Sequence, residues 1–120
     1  MLTFGGLHMN IDIKDQDGIL ILSVKGNLMG GQETLQIHEK VKKLVEQGNK
    51  KFVIDLSKVK WMNSSGLGTM MGCLTSIKNG SGELKICGVT EKVKSLFMIT
   101  KLITLFDSYD SVEEAVNAFK

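Results

Sequence analysis

Short apolar runs alternate along this chain with longer stretches in which apolar residues recur every three or four positions. Met9, Ile11 and Ile13 alternate with polar neighbours, and Asp15-Gln16-Asp17-Gly18 separates them from Ile19-Leu20-Ile21-Leu22-Ser23-Val24. That is the pattern of a β-hairpin closed by a polar turn. Gly26-Asn27-Leu28-Met29-Gly30-Gly31 breaks the second strand. From Gln32 to Gln47 the residues Ile37, Val41, Leu44 and Val45 share one helical face, and Gly48 supplies the stop. Phe52-Val53-Ile54-Asp55-Leu56 is almost continuously apolar, as expected of a strand buried on both faces, and a loop is expected over Ser57-Lys58-Val59-Lys60. Leu67, Met70, Met71, Leu74 and Ile77 then repeat at helical spacing up to the turn Asn79-Gly80-Ser81-Gly82.

The last third continues the alternation. Leu84 and Ile86 mark a strand, and Val93, Leu96 and Phe97 mark a short helix for which Thr90 is a candidate cap. Leu102 to Phe106 is short and apolar, the pattern of an edge strand or extended connector. Ser111 and Glu114 form an S-x-x-E capping box ahead of Val112, Ala115, Val116 and Phe119, which share one face of a final helix. A hairpin followed by alternating strands and helices implies parallel pairing. The expected fold is a single α/β domain with a mixed four- or five-stranded sheet and about four helices.

Length and charge narrow the class. At 120 residues the chain is one domain, able to bury roughly two thirds of its unfolded surface without disulfides or metals. The net charge of +2 arises from 15 basic and 13 acidic residues that are interspersed, so no basic arm points to nucleic acid. The apolar runs fall far short of the roughly 20 residues that span a bilayer, so no membrane segment is expected. Residues 1–8 have neither the basic start nor the apolar core of a signal peptide. They are expected to be a flexible lead, either native or a remnant ahead of a start at Met9, with the folded domain over 9–120 and a cytoplasmic location. The two cysteines, Cys73 and Cys87, fall in a helix and a strand without a CxxC, which fits buried, reduced thiols.

Candidate chemistry concentrates in Trp61-Met62-Asn63-Ser64-Ser65-Gly66-Leu67-Gly68, which places two hydroxyls and two glycines between a strand and a helix. The backbone N–H groups of a first helical turn lack intrahelical partners, and Asn63 is among the best residue types to cap them. With Asn63 in that role, Ser64 and Ser65 are surplus as caps. A phosphate there would meet exposed donors and the positive end of the helix dipole. Gly66 and Gly68 are expected to keep the surface flat and let another backbone, or a partner, come close, at a cost of about 1 kcal/mol each in helix propensity.

The segment Asn63-Ser64-Ser65-Gly66-Leu67-Gly68 resembles the D-S-[ST]-G-[LVI]-G signature of anti-sigma factor antagonists, bacterial members of the STAS domain family. The resemblance extends through Phe52 to Leu56, Leu84-Lys85-Ile86-Cys87-Gly88-Val89-Thr90, Val93, Leu96, Phe97, and Leu105-Phe106-Asp107 with Ser111 to Ala115. It implies a STAS-type domain that binds an anti-sigma factor, itself a serine kinase, while Ser64 is unmodified. Phosphorylation of Ser64 by that kinase would end binding, and a serine phosphatase would reset it. The implied partner surface comprises Gly26, Asn27, Leu28, Met62, Asn63, Ser64, Ser65, Gly66, Leu67 and Gly68. Two positions depart from the family: Asn63 stands where Asp is usual, and Met29 where an acidic residue is often found. Because Asn cannot deprotonate a hydroxyl, the alternative is an unswitched STAS scaffold or small-ligand-sensing module in a larger assembly.

Enzymatic readings find little support. Gly66-Leu67-Gly68 lacks the third glycine of a dinucleotide fingerprint, that place being Met71. A catalytic serine needs a positioned base, and the chain has only His8, in the lead, and His38, among polar neighbours on a helix. There is no P-loop, no HExxH and no Cys/His cluster, and the acidic turn at Asp15 lacks a calcium loop's closing Glu. No cofactor or metal is expected.

Overall fold

The computed structural model describes residues 10–120; the lead expected over 1–8, with Met9, lies outside the described residues. β1 (Asn10–Gln16) and β2 (Ile19–Lys25) pair antiparallel through a two-residue turn in which Asp17 and Gly18 both take positive φ, +55° and +84°. That geometry matches the twist of the flanking strands, and Asp15 Oδ1 accepts the Gly18 N–H at 3.0 Å. There follow α1 (Gly31–Glu46), β3 (Lys51–Lys58), α2 (Ser64–Asn79), β4 (Glu83–Cys87), α3 (Glu91–Ile99), a 3-10 turn (Leu102–Leu105), β5 (Asp107–Tyr109) and α4 (Val112–Asn117). The sheet order is β1-β2-β3-β4-β5, with every pairing after the hairpin parallel, which makes the mixed five-stranded α/β fold that the pattern predicts.

The near-continuous apolar strands are explained by two cores. Leu20, Leu22 and Val24 of β2, Phe52, Ile54 and Leu56 of β3, and Leu84 and Ile86 of β4 pack under α1, α2 and α3, with Ile37, Val41, Met70, Cys73, Ile77, Val93 and Phe97 buried against them. The alternate residues Ile19, Ile21, Val53 and Cys87 face the other way, onto Ala115 and Val116 of α4. Lys85 shares that second face. Its ammonium is buried, pairs with Glu83 at 2.8 Å and Asp107 at 3.4 Å, and lies 4.7 Å from the centroid of the Phe119 ring.

Two boundaries differ from the sequence pattern. β3 runs on to Lys58 because Lys58 still pairs with Lys25 past a bulge that puts one extra residue into β3, so the expected loop shifts to Val59 to Asn63. The apolar stretch Leu102 to Phe106 is not a strand. Lys101 takes φ +65° and turns the chain into the 3-10 turn, with Phe106 buried against Phe97 at 5.3 Å between ring centroids; the edge strand is the polar Asp107–Tyr109. Leu102 and Ile103, partly buried, pack on the same core from the 3-10 turn, so the run is apolar without the alternation of a strand.

Candidate functional site

Two loops meet where β2 and β3 end. Gly26 N–H donates to Lys58 O at 3.3 Å, Leu28 N–H to Trp61 O at 2.9 Å, and Asn63 N–H to Leu28 O at 3.1 Å. Leu28 and Met62 thus form an isolated parallel bridge, and the Leu28 side chain is fully buried below it. The segment Gly26 to Gly30 is thereby laid against the start of α2.

The start of α2 is capped as its sequence predicts. Asn63 holds extended backbone angles and its Oδ1 accepts the Gly66 N–H at 3.0 Å. Its Nδ2 does something the sequence does not announce: it donates across to Met29 O at 2.9 Å, on the neighbouring loop. Ser64 is the first helical residue, is exposed, and among the described residues its hydroxyl has no hydrogen-bond partner. The first turn carries no acidic residue, so the positive end of the helix dipole meets no carboxylate from α2 itself. Ser65 is also exposed, but its side chain lies against Gly30, where an added Cβ would come within 3.1 Å of Ser65 Cβ and 3.4 Å of its Oγ.

The two glycines of the helix start are not equivalent. A Cβ at Gly66 would sit 2.1 Å from Leu28 O, so Gly66 admits the molecule's own loop, whereas nothing lies within 4 Å of a Cβ at Gly68. Leu28, Gly66 and Leu67 are buried and shape the face from beneath. Gly26, Asn27, Ser64, Ser65 and Gly68 are exposed, and Met62 and Asn63 are half-buried.

Other residues at this face gave no periodic signal. Met29 is 52% exposed and Trp61 is 48% exposed. The Lys92 ammonium lies 3.6 Å from the Trp61 ring centroid, and Lys60, Trp61, Thr90, Glu91 and Lys92 line a shallow groove beside the loop. Thr90 does not cap α3 with its side chain; its hydroxyl donates instead to Val59 O at 2.8 Å and ties α3 to the loop before Trp61. The signal that could have found part of this group is the chain's single tryptophan, placed next to the serine motif.

His38 lies at the α1–α2 seam, its ring nitrogen 3.0 Å from Ser76 Oγ, and a Cβ at Gly72 would press on its ring at 2.8 Å. It is a spacer bonded to Ser76 rather than to Ser64. Cys73 and Cys87 are free and buried. Burial pushes the Cys73 thiol up to about 12, and burial, with the charge and hydrogen bonding of Asp55, does the same for Cys87. Among the described residues no group of three or more His, Cys, Asp or Glu could hold a metal ion, and no helix is long and apolar enough to cross a membrane.

Fold and motif together define a class. The sequence model of the STAS domain matches residues 10–115, and the chain belongs to the STAS domain family. Among its relatives, the anti-sigma-B factor antagonist of Staphylococcus aureus is 28% identical over 107 residues, covering 89% of this chain and 98% of that one. A Thermotoga maritima crystal structure superposes with a TM-score of 0.83 at 25% identity, covering 90% of this chain and 92% of that one. The Bacillus cell fate determinant SpoIIAA, solved in a phosphorylated form, is similar in fold with a TM-score of 0.72 at 17% identity, covering 92% of this chain and all of that one.

Proposed function

We propose that this chain is an anti-sigma factor antagonist, a binding protein switched by phosphorylation of Ser64. The observation that carries the proposal is the hydroxyl of Ser64, exposed and unpartnered among the described residues, on a capped helix N-terminus with no acid in its first turn. Unmodified, the face built from the Gly26 to Gly30 loop and the start of α2 docks an anti-sigma factor that is also a serine kinase, and so releases the sigma factor it holds. That kinase then phosphorylates Ser64. The added charge, about −1.5 to −2 at neutral pH, is tolerated by the helix dipole but must lose water to re-enter the interface, which disfavours rebinding. A separate serine phosphatase restores the hydroxyl. The likeness to the S. aureus antagonist and to SpoIIAA, whose phosphorylated form is known, supports this assignment.

Asn63 leaves deprotonation of the hydroxyl to the kinase, since its amide is spent on Gly66 and Met29. The domain itself is read as a binding protein and not an enzyme: His38 bonds to Ser76, and among the described residues no base is bonded to Ser64. It acts in the bacterial cytoplasm, where the kinase's ATP is found. Ser65 is disfavoured as the acceptor because its side chain is packed against Gly30.

The test is phosphotransfer. Incubation with the cognate kinase and ATP, followed by peptide mass mapping, is expected to place the phosphate on Ser64. Modification at Ser65 overturns the assignment, and no transfer by an active kinase favours an unswitched STAS scaffold or sensor module.

A further inference from the structure

We propose that the Asn63 carboxamide is a positioning residue that locks the Gly26 to Gly30 loop onto the Ser64 turn, so that the two segments meet a partner as one rigid surface. The inference rests on the assignment of Ser64 as the switch and adds what holds its docking face together. One side chain performs two bonds at once: Oδ1 accepts from Gly66 N–H at 3.0 Å and Nδ2 donates to Met29 O at 2.9 Å. Ser, Thr or Asp could provide the first. Ionised Asp cannot provide the second, because a carboxylate only accepts, and it would set an anionic oxygen against the Met29 carbonyl.

The placement of that second bond gives it leverage. Backbone bonds join the two loops only as far as Leu28, through Leu28 N–H to Trp61 O and Asn63 N–H to Leu28 O. Beyond Leu28 the chain passes through exposed Met29 into Gly30 and Gly31, both at positive φ, +97° and +80°, with no side chain to hold them. Thr34 Oγ1 ties Gly30 to α1, at 3.0 Å from both Gly30 N and Gly30 O. Beside the packing of Ser65 on Gly30, the bond to Met29 O is therefore the hydrogen bond that ties the outer part of this loop to α2. It holds the backbone at Met29, whose apolar side chain is 52% exposed. Fixing an exposed loop before binding removes an ordering cost from the association step.

Three substitutions in the full chain separate the two bonds. N63S keeps a capping oxygen without a donor that reaches Met29, N63D keeps the cap and opposes the Met29 carbonyl, and N63A loses both. The carbonyl 13C shift of Met29 reports the bond directly, and thermal melts report the fold. N63S and N63D are expected to melt within a few degrees of the parent while their Met29 shift moves. Both are expected to raise the dissociation constant for the anti-sigma factor at least about fivefold, and the KM for Ser64 phosphorylation likewise, with kcat within about twofold. A purely structural role would not split KM from kcat in this way.

Acidification adds a signature. As the introduced carboxyl of N63D gains a proton it gains an O–H to donate to Met29 O, so its Met29 shift is expected to return towards that of the parent, whereas N63S does not change. The charged side chains on the neighbouring segments are Lys25 and Lys58 where β2 and β3 end, Lys60 on the same loop, and Glu91 and Lys92 beside Trp61; the Gly26 to Gly30 loop has none and the first turn of α2 has no acid. Parental affinity and KM in N63S with a displaced Met29 shift would overturn the docking role. A parental Met29 shift in N63D at neutral pH would overturn the lock itself. If the parent neither binds nor accepts phosphate, the Ser64 assignment fails and the docking role with it, while the shift pair still decides whether the lock exists.

Discussion

Two helices begin at the same edge of the sheet, α2 after β3 and α3 after β4, and their N-termini are furnished in opposite ways. At α3, Glu91 places a carboxylate in the first turn, and Thr90 spends its hydroxyl on Val59 O of the neighbouring loop. At α2 the cap side chain bonds both its own helix and the neighbouring loop, no acid follows it, and an exposed hydroxyl takes the first position. Both termini carry the same partial positive charge from the backbone. One is answered by a permanent carboxylate, while the other is left open for a charge that, in the proposed switch, comes and goes.

The largest effects should come from the close approach that builds the α2 terminus. Gly66→Ala drives a Cβ to within 2.1 Å of Leu28 O and is expected to cost about 2–3 kcal/mol, a fall in melting temperature of order 10 °C. Gly68→Ala, two residues on with open space around it, is expected to gain up to about 1 kcal/mol from helix propensity. Equal melting temperatures for the two variants would show that the loop does not sit where it is described.

Next comes charge at the open terminus. Ser64→Asp is expected to weaken anti-sigma binding at least about tenfold, the equivalent of about 1.4 kcal/mol, with the melting temperature within a few degrees of the parent. Ser64→Ala should bind but resist phosphorylation. Calorimetric titration of both, and of the phosphoprotein, checks this; equal affinities would remove electrostatics from the switch. At the other terminus, Glu91→Gln should cost only about 0.3–1 kcal/mol in a denaturant melt.

The smallest effect at neutral pH is expected from the thiols, which lie away from both termini. Cys73 and Cys87 should resist thiol reagents in the folded protein. Their pKa values in the fold lie above those of the unfolded chain, so the native state keeps protons that the unfolded state sheds. Their contribution is intact below about pH 8.5, the ordinary thiol value, and stability should fall as pH rises from there towards about 12. Urea melts across that range test the sign, and Cys→Ser at either position should flatten the slope.

What was legible in the chain follows from what repeats. Helical and strand periodicity placed the four α-helices and the first four strands; the helices and β2, β3 and β4 bury residues on regular faces, whereas in β1 Ile11 is only partly buried and Ile13 is 38% exposed. The fifth strand was misplaced because a 3-10 turn that packs Leu102 and Ile103, followed by Phe106, supplies the apolar run while the strand itself is polar. At the site, the Asn63 cap and the exposure of Ser64 could be read from local chemistry. The bond to Met29 and the Gly66–Leu28 contact could not, since each joins residues more than thirty positions apart that no local pattern pairs. The same distance hid the different duties of Gly66 and Gly68, identical in sequence terms and opposite in surroundings.

Trp61 has a practical consequence. It is the chain's one indole, it is 48% exposed, it precedes Ser64 by three residues, and a lysine ammonium rests on its ring. Its emission therefore comes from a single fluorophore at the rim of the candidate docking face, sensitive to both hydration and nearby charge. The protein carries a built-in optical gauge at the place where its state is proposed to change. Partner arrival and phosphate gain can then be followed in real time without attaching a dye.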